Sequence, residues 1–182
     1  MTSPVRPVDL DAVPGEPVPV VLALGSNLGD RTATLASAVS ALDGVHGLTV
    51  ERVSPVVETA PVDGPEQDDY LNAVVLAVTT LSPHALLTAV QEVETAFGRV
   101  RHVRWGARTL DVDVVTYADL VCVGERLELP HPRAYQRAFV LVPWAAVDAR
   151  AVLPGPRGGR VTELAGAAPD AAGVRSTTVQ IR

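Results

Sequence analysis

A chain of 182 residues that is 47% hydrophobic and 20% charged can build one globular domain, and its net charge of −6 argues against a general nucleic-acid or membrane binder. No apolar run approaches the length that crosses a bilayer, and the N-terminal stretch lacks the basic flank and apolar core of a secretory signal. Cys122, alone in "LVCVG", rules out an internal disulfide, so a cytoplasmic protein is expected.

Residues 1–17 carry four prolines and no periodicity, and are expected to form a flexible tail ahead of a domain over 18–182. "VPVVLALGSN" reads as a buried strand entering a turn. "GDRTATLASAVSALDG" follows as a helix, with Asp30 as N-cap and Leu35, Val39 and Leu42 on one face. "LTVERVSPVVETAP" and "YLNAVVLAVTT" read as two strands separated by the loop "VDGPEQDD". In "SPHALLTAVQEVETAFG", Ser82 caps a helix and Pro83 takes its first position. Leu86, Leu87, Val90, Val93 and Phe97 make its stripe, and Gly98 ends it. "TLDVDVVTYA" is the next strand. The order β-α-β-β-α-β is the ferredoxin-like split βαβ pattern of an α/β (α+β) domain. From "ERLELPHPRAYQRAFVLVPWAAV" onward the chain adds short helices, with a last strand at "VRSTTVQIR". There is no internal repeat and no second domain.

Asp111 and Asp113 stand two apart on a strand, so both carboxylates share a face while Leu110, Val112 and Val114 point into the core. Two carboxylates roughly 6–7 Å apart along a strand can flank a pair of metal ions. Taken alone they suit a solvated face of an edge strand better, and the neighbouring arginines tip the reading toward metal. The segment before them, "RVRHVRWGAR", holds Arg99, Arg101, Arg104 and Arg108 without one acid, a basic patch on an acidic protein. Arginine's planar fork fits phosphate oxygens, and Trp105 is unfavourable in a solvated loop unless it covers something. All 15 cationic side chains are arginine, and the absence of lysine excludes a Walker A phosphate loop. His131 lies between two prolines, which fixes its direction; a lone His is more often structural, but Arg126 and Arg137 nearby would extend an anion site. His46, His84 and His102 are expected on the surface. Tyr70 and Asn72 share a strand face, where a ring beside an amide can grip a flat heterocycle, although Tyr at a strand start and Asn as a turn residue account for them equally well.

Assembled, these residues resemble the 6-hydroxymethyl-7,8-dihydropterin pyrophosphokinase family of the folate pathway, over roughly residues 20–147. "GRVRHVRWGARTLDVDVV" and "LELPHPRAYQRAFVLVP" are its most specific parts. The resemblance implies a ferredoxin-like fold and transfer of the β,γ-pyrophosphoryl group of ATP to the pterin's hydroxymethyl oxygen, leaving AMP. It implies that Asp111 and Asp113 bind two Mg2+ ions, and that Arg99, Arg101, Arg108 and Trp105 belong to a loop closing over the reactants. Arg99 and Arg108 would act with the two aspartates in catalysis. Gln91, Glu94, Arg101, Trp105, Arg126, His131 and Arg137 would lie around nucleotide and phosphates, and Thr59, Val62, Tyr70, Asn72, Trp105 and Phe139 around the pterin. The family's usual "RWGPRT" is here "RWGART", with Ala107 in place of the proline, and "VDGPEQDD" is a variant of its own. The resemblance implies small-molecule substrates; a monomer is expected, and the acidic net charge argues against a nucleic-acid or membrane partner.

The chemistry agrees, since phosphoryl-type transfer asks for positioning and charge neutralisation, and no nucleophilic Ser or Cys constellation is present. No residue stands out as a general base for the pterin hydroxyl. An RNA-binding ferredoxin-like module would carry stacking aromatics on its central strands, where this chain has Val, Ala and Leu. A metal-dependent nucleotidyl transferase or cyclase could use the same two aspartates, and the "YLN" stretch argues against it.

Overall fold

The computed structural model describes residues 8–61, 67–98 and 109–181. In chain order its elements are β1 (Val18–Ser26), α1 (Arg31–Asp43), β2 (Leu48–Val53), β3 (Val57–Thr59), β4 (Tyr70–Thr79), α2 (Pro83–Ala96) and β5 (Asp111–Tyr117). The final third adds β6 (Cys122–Val123), β7 (Glu128–Leu129), a 3-10 turn at Ala134–Gln136, α3 (Ala138–Val147), β8 (Val152–Leu153), β9 (Gly159–Arg160), α4 (Val161–Ala167) and β10 (Val174–Ser176).

β1 and β4 read as nearly continuous apolar runs because helices cover both faces of the sheet. They pair antiparallel over their whole length, and β5 lies on the other side of β1, giving the order β10-β3-β4-β1-β5 with β2 also on β4. This is the ferredoxin-like arrangement. The single strand expected across "LTVERVSPVVETAP" is divided into β2 and β3. Pro55 has no N–H to donate there, and Ser54 meets β4 twice, its amide donating to Val74 O at 2.9 Å and its hydroxyl accepting from Val74 N at 2.8 Å.

α1 and α2 start where the side chain of the N-cap residue can take an orphan amide. Asp30 accepts from Ala33 N at 2.9 Å, and Ser82 accepts from Ala85 N at 3.3 Å. α1 and α2 bury Leu35, Leu42, Leu86 and Val90 on one sheet face, while α3 and α4 bury Leu141, Trp144 and Val161 against the other.

The stretch expected to be a free tail behaves differently from residue 8 onward. Leu10 is buried in the first core, its carbonyl accepts from His84 N at 3.1 Å, and Asp11 lies 2.9 Å from His84 Nδ1. His84 is therefore a paired, partly covered residue rather than a bare surface one. Prolines mask the segment's single apolar anchor from any periodicity.

Candidate functional site

Alternation along β5 sends Val112 and Val114 into the core beneath α1 and α2 and leaves Asp111 and Asp113 partly exposed on the opposite face. That face borders a cavity of about 530 Å³. One wall comes from Thr59, Tyr70 and Asn72 on β3 and β4, the opposite wall from Arg133, Gln136, Arg137, Phe139 and Asp170. Gly25 of β1 is the floor between them, opposite Asn72 on one side and Asp111 on the other. A Cβ there would stand 3.1 Å from Asn72 Oδ1, inside the space between amide and carboxylates. Asn72 donates to Thr59 Oγ1 at 2.9 Å, which orients the amide across the cavity.

The loop entering β4 is tied at several points. Asn27 donates to Gln67 Oε1 at 2.9 Å and to Asp68 O at 3.1 Å, and the Tyr70 hydroxyl donates to Gln67 Oε1 at 3.3 Å. Arg31 donates to Asp69 O at 2.6 Å and to Glu58 at 3.1 Å. Arg175 of β10 pairs with Asp69 and Glu58.

Asp113 is the electrostatic centre. Arg137 Nη1 lies 3.3 Å and His131 Nε2 3.7 Å from its Oδ2. Burial pulls the His131 imidazole below its ordinary pKa, with Asp113 opposing the shift, so the neutral ring is favoured. Its Nδ1 accepts from Arg133 N at 3.1 Å, which assigns the ring proton to Nε2, on the Asp113 side. Burial also lowers Arg137, again against the pull of Asp113.

A second cavity of about 340 Å³ lies against the outer edge of β5, between Leu87, Gln91 and Glu94 of α2 and the β6–β7 turn with Arg126. Asp113 and His131 line both cavities. Glu94 is only 2% exposed, and its Oε1 accepts from Val112 N at 2.8 Å, so it braces β5 between the two aspartates.

Thus Asp111, Asp113, His131, Arg137, Thr59, Tyr70, Asn72 and Phe139 gather at the larger cavity, and Gln91, Glu94 and Arg126 at the smaller. Arg126 and Arg137, expected to extend one anion site, face different cavities. Val62, Arg99, Arg101, Arg104, Trp105 and Arg108 lie outside the described residues. Gly25, Arg133, Gln136 and Asp170 also line the larger cavity without having been anticipated. A glycine inside an apolar strand was a readable signal for Gly25. Nothing near Asp170 in sequence announces it.

Residues 21–149 match the family model described as 7,8-dihydro-6-hydroxymethylpterin-pyrophosphokinase (HPPK). The 2-amino-4-hydroxy-6-hydroxymethyldihydropteridine pyrophosphokinase of Mycobacterium leprae (strain TN) is 48% identical over 145 residues, covering 74% of this chain and 74% of that one. The enzyme of the same name from Bacillus subtilis (strain 168) is 44% identical over 126 residues, 69% of this chain and 75% of that one. Among solved structures, wild-type Plasmodium falciparum HPPK-DHPS with SDX-DHP superposes with a TM-score of 0.66 at 11% identity, over 87% of this chain and 45% of that longer one. That likeness concerns the fold alone.

Proposed function

We infer the roles of individual residues from the membership of this chain in the 7,8-dihydro-6-hydroxymethylpterin-pyrophosphokinase family. The chain is a diphosphotransferase of folate biosynthesis that moves a pyrophosphoryl group from ATP to hydroxymethyldihydropterin. The hydroxymethyl oxygen bonds to the β-phosphorus, the bond from that phosphorus to the α,β-bridging oxygen breaks, AMP leaves, and the hydroxyl proton passes to solvent.

Asp111 and Asp113 are the ligands for two magnesium ions. Hard carboxylate oxygens suit that ion, and the described residues hold no cluster of three His, Cys, Asp or Glu. Two carboxylates without such a cage fit an ion that takes its other ligands from water and phosphate. Magnesium, when bound, supplies neutralisation of the phosphate charge. Arg137 and His131 Nε2–H face Asp113, where phosphate oxygens would meet donors already held in place. Tyr70, Phe139, Asn72 and Thr59 grip the heterocycle, and Gln91, Glu94 and Arg126 line the nucleotide side. Arg99, Arg101, Arg108, Trp105 and Val62 keep the roles that the resemblance gives them, as contacts to phosphates and pterin. The protein acts in the cytoplasm as a monomer.

The observation that supports this reading is the meeting of two cavities at Asp113 and His131, one suited to a flat heterocycle and one to a nucleotide. Incubation with ATP, magnesium and the pterin alcohol should yield AMP and no ADP, and chelation of magnesium should stop it. ADP as product would refute the reading.

A further inference from the structure

Asp170 lies beyond the residues that the family model matches, yet it forms part of the larger cavity's wall. Its Oδ1 accepts a hydrogen bond from Ala138 N at 2.8 Å. Ala138 opens α3 and is fully buried, and the residue before it, Arg137, has no acceptor with which to cap the helix. A carboxylate from 32 residues further along the chain takes that place.

The capped amide stands between two side chains of the site. On one side is Arg137, 3.3 Å from Asp113, and on the other is Phe139, which lines the cavity. The Arg137 guanidinium also lies over the Phe139 ring, 5.4 Å from its centre. The Asp170 bond secures the N–H side of the Arg137–Ala138 peptide, whose carbonyl accepts from Val140 N and Leu141 N at 3.0 Å, and the cation at Asp113 and the cavity's aromatic wall project from either side of that amide.

We propose that Asp170 is a positioning residue for pyrophosphoryl transfer, setting through the Ala138 amide the placement of Arg137 against Asp113 and of Phe139 against the heterocycle. The proposal rests on the roles given to Arg137 and Phe139 above.

The test uses the full chain, with AMP formation measured at saturating magnesium-ATP and varied pterin, beside thermal melts. Asp170→Ala should raise the KM for pterin and lower kcat, each about tenfold, because a displaced wall weakens both binding and alignment. Asp170→Asn keeps an acceptor at Oδ1 and should stay within about twofold of wild type in both constants. Asp170→Glu keeps the charge but displaces the acceptor by one methylene, and should show the same rise in KM even if the alanine variant does not fold. Wild-type constants in the Glu variant, or equal losses in Asn and Ala, would overturn the proposal. So would a lower melting temperature with unchanged constants. Wild-type constants in Arg137→Ala and Phe139→Ala would instead remove the reading on which it rests.

Discussion

Asp111 and Asp113 share a strand face but not a setting. Asp113 faces Arg137, whose side chain is only 17% exposed, and His131 beside it. If the two aspartates hold magnesium as proposed, removing either carboxylate should cost several kcal/mol of transition-state stabilisation, which is orders of magnitude in rate. Sequence alone suggests that each removal relieves repulsion and leaves the apo protein equally stable or slightly more so. For Asp113 the structure reverses that expectation. Asp113→Ala strips Arg137 of this partner and should lower stability by about 1 kcal/mol. Ligand-free melts and AMP formation, run side by side, check both halves. Near-normal, magnesium-dependent AMP formation by the Asp113→Ala protein would sink the metal assignment.

At the scale of elements, the two aspartates depend on how α2 holds β5. Pairing with β1 uses one edge of β5, and the Val112 amide on the free edge is taken by Glu94 at 2.8 Å. Glu94→Ala would leave a buried N–H without that acceptor, at a cost of about 1–3 kcal/mol. The strand between Asp111 and Asp113 would then lose its brace, and kcat should fall along with stability. Glu94→Gln keeps an acceptor and should lose much less of both. Denaturant unfolding and AMP formation decide it, since full activity in a destabilised alanine variant would separate the brace from catalysis.

For the whole molecule, the sheet is closed on one face by α1 and α2 and on the other by the C-terminal third, and residues 8–17 extend the first layer. Leu10 packs against the β6–β7 hairpin, where a Cβ on Gly124 would come within 3.1 Å of its side chain. The expectation of a flexible tail over residues 1–17 gives way to a cost for removing it. Deleting them, or making Leu10→Ala, should destabilise by about 2 kcal/mol, a drop of roughly 4–8 °C in Tm at this size. Calorimetry on both proteins checks this. An unchanged Tm would mean that Leu10 contributes nothing to the core.

The sequence by itself determined the β-α-β-β-α-β order of the core apart from the division of β2 from β3, the Asp30 and Ser82 caps, and the common face of Asp111 and Asp113. Through its motifs it also determined the family. Periodicity, caps and turns act within a few residues, so a local pattern carries them. Only the tertiary structure decided which polar groups are buried and which partners they meet. Glu94 falls on the stripe of α2, four residues after Val90, but its acceptor role depends on an amide 18 residues away. Asp170 reaches α3 across 32 residues, and Leu10 has no pattern around it to mark it as core. Burial is set by what packs against a side chain, and these packing partners come from distant parts of the chain.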